Sequence, residues 1–93
     1  MITLRKPAKP PATYAEILVL ADKTGEAEAI AFFAENPKPW RHQHGERQRN
    51  ALNRFLEPFV LNNEKTARVS TVFRNCYRAT FKRLQKELAA SQL

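Results

Sequence analysis

Cysteine is almost missing from this chain: Cys76 stands alone in 93 residues, so no disulfide can close within it. That usage fits a reducing compartment and sets cytoplasm as the expected location. Long apolar runs are missing too. The longest, Ile17 to Ala21, falls far short of the roughly 18 residues a membrane span needs, and no apolar stretch follows the basic N-terminus to form a signal peptide. The expectation is a soluble protein with no membrane partner. Glycine occurs only at 25 and 45, and both positions read as interruptions between helices. What is present argues against disorder: 43% of the residues are apolar and nine are aromatic, enough for one core. A chain of this size buries about 60 to 65% of its unfolded surface and has nothing left for a second core.

Acidic residues are also scarce, nine against sixteen Lys and Arg, and the imbalance is local. Residues 1–36 carry a balance of −1 and residues 37–93 a balance of +8, giving the net +7. A one-sided field of this kind steers encounter with a polyanionic or acidic partner without deciding the fold.

Residues 1–12 hold Arg5, Lys6, Pro7, Lys9, Pro10 and Pro11 without apolar periodicity, and they read as a flexible, basic, proline-rich arm. Residues 13–93 read as a single all-α domain, a bundle of about four helices. Thr13-Tyr14-Ala15-Glu16 has the spacing of a capping box and predicts a helix to about Lys23, which Gly25 then breaks. Glu26 and Glu28 open a predicted second helix that ends at Asn36-Pro37. Together the two form an expected αα-hairpin placing Ile17, Leu18, Leu20, Ile30, Phe32 and Phe33 in the core, its acidic rim shielding part of the basic half. A helix-turn-helix reading of this stretch fails, because Ala31 stands where a buried Val or Ile is needed and the recognition helix would open with acids facing phosphates.

Pro37 to Gly45 reads as a loop, stiff at its prolines and loose at its glycine. From about Glu46, the residues Leu52, Phe55, Leu56, Phe59 and Val60 recur at the spacing of one buried helical stripe. Pro58 predicts a kink, or a stop near Glu57. Asn62-Asn63 then supplies a turn and a cap for a last helix reaching about Ala90.

In that last helix, Val69, Phe73, Cys76, Tyr77, Thr80, Phe81, Leu84 and Leu88 share one arc, and Arg68, Arg74, Arg78, Lys82 and Lys86 the opposite one. Arg74, Arg78, Lys82 and Lys86 follow one another at i+4 and form a ridge of like charge. A solvated face is the ordinary reading of a basic stripe. Here seven basic residues from Lys65 onward meet a single acid, Glu87, which points to an anionic partner that offsets their repulsion.

The Trp40 loop adds Lys38 and Arg41, with Arg47 and Arg49 just beyond, so an aromatic stands among cations as single-strand binding requires. Trp40 has two readings, a stacking anchor or a lid on the core. Arg47 and Arg49 in a helical first turn oppose the helix dipole, which hints at a use. His42, His44 and Cys76 do not make a metal set, since no second Cys or flanking acid completes it. His42 or His44 with Glu46 and an arginine is the kit of a metal-independent ribonuclease, a minor alternative carried by two loop histidines. No cofactor is implied.

The sequence thus predicts a non-enzymatic protein that engages nucleic acid through its phosphate backbone. Arg74, Arg78, Lys82 and Lys86 are the main contacts, Arg68, Arg41, Arg47, Arg49 and Lys38 the secondary ones, and Trp40 the stacking anchor. The alternative is a protein-binding module that sets the same face on an acidic or nucleic-acid-binding surface of a larger protein or nucleoprotein complex. Small size and basicity associate such a chain with accessory proteins of phages and mobile elements, including inhibitors of host defence. The aromatic stripe Phe73, Tyr77 and Phe81 also suits a homodimer.

Overall fold

The computed structural model describes residues 13–92; the basic proline-rich arm at 1–12 and Leu93 lie outside the described residues. Three helices account for nearly all of them: α1, Tyr14–Glu35; α2, Arg41–Leu56; and α3, Asn63–Ser91. The all-α expectation holds, with three helices in place of about four.

The missing boundary is Gly25. α1 runs through it for 22 residues, so there is no αα-hairpin within residues 16–33. A glycine in a helix costs only about 1 kcal/mol against alanine, and here the lack of a side chain is used. A Cβ at Gly25 would lie 2.5 Å from the backbone carbonyl oxygen of Phe73, so α3 crosses α1 at a distance that only glycine permits. Ala21 and Ala29, four residues to either side, are also fully buried and continue the line of close approach.

The start of α1 is the capping box read from its sequence. Thr13 Oγ1 accepts from the Glu16 backbone N–H at 3.1 Å, and Glu16 Oε1 accepts from the Thr13 N–H at 3.2 Å. Asn36 ends the helix as expected. The following linker is shorter than predicted, because α2 begins at Arg41 and takes in His42, His44 and Gly45. Its N-terminus is held from within: Gln43 Oε1 accepts from the Trp40 backbone N–H at 2.7 Å. Glutamine at the third helical position thus supplies half of a capping box where the N-cap residue offers no hydroxyl.

α2 stops at Leu56, before Pro58, whose ring and missing N–H do not allow the ladder to continue. Val60 therefore leaves the predicted apolar stripe and is fully exposed, while Leu52 is buried and Phe55, Leu56 and Phe59 pack partly beneath it. Asn62 caps α3, its Oδ1 accepting from the Lys65 N–H at 2.8 Å.

The core contacts fix the topology. Ile17 and Ala21, early in α1, meet Val69 and Phe73, early in α3, and Leu52, late in α2. Ala29 and Phe32, late in α1, meet Tyr77 and Phe81 further along α3, beside His44 at the start of α2. α1 and α3 are therefore parallel and α2 runs antiparallel to both, an up-down-up bundle. Of the six α1 residues predicted as core, Ile17 and Phe32 are buried and Leu18 and Phe33 half-buried. Leu20 and Ile30 are exposed instead, because the continuous helix turns both away from the face that meets α3.

Candidate nucleic-acid interface

The antiparallel return of α2 sets its first two turns beside the middle of α3 and leaves a groove of about 400 Å³ between them. α2 contributes Arg41, His44, Gly45 and Gln48; α3 contributes Tyr77, Arg78, Phe81, Lys82 and Gln85. Helical spacing explains both sets. Arg41, His44 or Gly45, and Gln48 recur at three to four residues, as do Arg78, Lys82 and Gln85. No carboxylate lines the groove.

The floor is aromatic and polar. His44 stands edge-on to Phe32, Tyr77 and Phe81, with ring centroids 5.7, 5.9 and 4.5 Å away. Its Nδ1 shares a hydrogen bond of 3.1 Å with the Tyr77 hydroxyl. Burial lowers the His44 pKa from its ordinary 6.5, favouring the neutral ring. Burial also pushes the Tyr77 phenol up to about 12, so it stays protonated and able to donate. Gln48 is 6% exposed, and its Oε1 has no hydrogen-bond partner.

Cations form the rim. Among the described residues, ion pairs engage Arg47 and Arg83 and leave Arg41, Arg74, Arg78, Lys82 and Lys86 without one. Arg78 and Lys82, from the predicted ridge, line the groove, and Arg41 faces them from α2. Arg74 is half-buried one turn before Arg78, and Lys86 is exposed one turn beyond Lys82. Arg49 and Lys38 are exposed outside the groove. Arg68 belongs elsewhere, in a shallow depression with Tyr14, Glu64 and Lys65 near the start of α3.

Arg47, expected as a secondary contact, is also engaged within the fold. Its guanidinium pairs with Glu28, bonds both oxygens of Glu35 at 2.9 and 3.0 Å, and lies 4.8 Å over the Phe32 ring. The hydrogen bonds to Glu35 and then Glu28 raise the Arg47 pKa further, and the bond from Arg47 holds Glu35 below its ordinary 4.5. The arginine clamps α2 to α1.

Trp40 is 74% exposed, so it does not cap the core. Its backbone is nevertheless held. Beyond the Gln43 bond, Asn36 Oδ1 accepts from the Lys38 N–H at 3.2 Å, and the Pro37 carbonyl accepts from Gln85 Nε2 at 3.0 Å. The linker thus presents the indole to solvent directly before Arg41.

The remaining candidates do not gather into chemistry. Cys76 Sγ donates to Asp22 Oδ1 at 2.9 Å, and burial, then that carboxylate, push its pKa up to about 11, keeping it a thiol. His42 is exposed on α2, whereas His44 is turned into the aromatic floor. Among the described residues, no three His, Cys, Asp or Glu side chains converge on a point that would hold a metal. No described helix is long and apolar enough to cross a membrane.

Sequence reasoning passed over Gln48 and Gln85. Gln48 lies four residues before Leu52, a polar residue at the next stripe position, which was the available signal. Compared with protein-family models, with curated proteins and with solved structures, the chain matches none.

Proposed function

We propose that the protein binds nucleic acid without catalysing a reaction, using the α2/α3 groove and the ridge beside it as a phosphate-binding face. The carrying observation is the convergence of Arg41 from one helix with Arg78 and Lys82 from another on a groove without carboxylates. Three cations with no ion pair of their own, held on rigid helices, bring their repulsion into the folded state, and a polyanion relieves it. Arg74 and Lys86 extend the track along α3. The exposed indole of Trp40 beside Arg41 adds a stacking surface for an unpaired base, worth about 1 to 3 kcal/mol in such sites.

The test is the triple variant Arg74→Gln, Arg78→Gln, Lys82→Gln. None of the three belongs to the buried core, so its melting temperature should match the wild type, while affinity for random oligonucleotides should collapse. Wild-type affinity in the triple variant would reduce the ridge to a solvated face.

A protein partner is the second reading, favoured by a separate observation. Val19 and Ile30 are 55% and 47% exposed on the side of α1 turned away from α3, where a solvated helix would carry polar residues. An acidic protein surface would engage the basic face as phosphates would, with the accessory and inhibitory roles that this implies.

A further inference from the structure

We propose that the α2/α3 groove accepts one unstacked nucleotide of a single strand, its base entering over His44 and its phosphate lying against Arg41, Arg78 and Lys82. This rests on the nucleic-acid reading above and narrows it from a backbone track to a single-strand subsite.

Three observations carry it. The groove, at about 400 Å³, is within the range of small-molecule sites, and its floor offers the half-buried His44 ring, backed by the buried rings of Tyr77 and Phe81. Gln48 is 94% buried within it yet holds an oxygen with no partner, a cost that natural interiors rarely leave unmet. The last torsion of a glutamine is broad and roughly two-fold, so its amide can turn either oxygen or nitrogen toward a ligand. A base edge, with donor and acceptor side by side, matches such an amide; a bare phosphate does not. Finally, charge sits at the rim and not on the floor. That order suits a nucleotide entering base first, and a rigid duplex cannot place a base there without unstacking it.

Gly45 makes the idea testable without disturbing the fold. It lines the groove, and a Cβ built on it meets nothing within 4 Å. Gly45→Leu therefore fills the groove from a helical position where leucine is the better helix former. Binding is measured by fluorescence anisotropy for a short mixed-sequence single strand, the same strand with its bases removed, and the corresponding duplex, at equal phosphate concentration. The wild type should bind the single strand about a hundredfold more tightly than either control, about tenfold from the groove and about tenfold from Trp40. Gly45→Leu and, independently, Gln48→Leu should lower the ratio of single-strand to abasic-strand affinity about tenfold, leaving the share that Trp40 supplies.

Equal affinity for all three probes in the wild type overturns the subsite and leaves the backbone reading intact. A preference undiminished from the wild type in both Gly45→Leu and Gln48→Leu also overturns it and assigns base contact to Trp40 alone. No binding of the wild type to any probe at low salt overturns both readings.

Discussion

The Tyr77 hydroxyl lies 3.1 Å from Nδ1 of His44, tying the first turns of α2 to the middle of α3 beneath the cationic rim. Because the imidazole is partly buried among three aromatic rings, its protonation opposes folding. The folded pKa is depressed, so between it and the ordinary 6.5 the unfolded chain binds more protons. Stability from this group is full above 6.5 and falls as pH drops below it. Glu35, also depressed, loses its contribution in a separate window below its ordinary 4.5. Thermal melts between those two values should show a falling melting temperature, and His44→Gln should flatten the slope. Parallel slopes in the two proteins would remove His44 as the cause.

Tyr77→Phe isolates the bond itself. Losing one neutral hydrogen bond at a partly buried site should cost about 1 kcal/mol in urea titration. A larger loss would mean that the hydroxyl positions the whole α2 terminus, and affinity for oligonucleotides should then fall as well.

Arg47 and Arg78 look alike in sequence and should separate in experiment. Arg47→Met leaves Glu28, whose side chain is 15% exposed, without its partner and should destabilise the fold by about 1 to 2 kcal/mol while sparing oligonucleotide affinity. Arg78→Gln should do the reverse. Equal loss of binding in both variants would place Arg47 in the interface after all.

The two glycines should respond with opposite signs. Gly25→Ala drives a methyl into the Phe73 carbonyl and should cost about 1 to 3 kcal/mol as α1 and α3 separate. Gly45→Ala faces open space within a helix and should add about 0.5 to 1 kcal/mol. Chemical denaturation of the pair reads both signs directly.

Trp40 is the chain's one tryptophan, and its exposure makes it a probe of its own role. Emission should sit at the red end expected of a solvated indole and quench when single strands bind. Trp40→Ala should leave stability unchanged and weaken single-strand affinity about tenfold. Unquenched emission at saturation would exclude stacking.

The features legible in the sequence are those that act over one helical turn. The Thr13–Glu16 box, the Asn62 cap and the Pro58 stop each satisfy or deny backbone groups within four residues, and each appears where its spacing put it. Gly25 was ambiguous because the same residue type ends helices and lets them touch, and only the arrival of Phe73 decides between those uses. The start of α2 was hidden because its cap is a glutamine reaching back to Trp40, without the hydroxyl or carboxylate of a usual N-cap. At the interface, the ridge on α3 followed from periodicity alone. The groove did not: Gln48 and Gly45 meet Arg78 only once α2 has turned back, and Arg47 finds Glu28 and Glu35 on another helix, nineteen and twelve residues away.

The most direct test of a phosphate-binding face is the salt dependence of affinity for a single strand. Phosphate contacts from Arg41, Arg74, Arg78, Lys82 and Lys86 would give a log–log slope of roughly −3.5, reduced by about 2 in the triple glutamine variant. A flat dependence, or undetectable binding at low salt, would contradict a phosphate-binding role and leave an acidic protein surface as the partner.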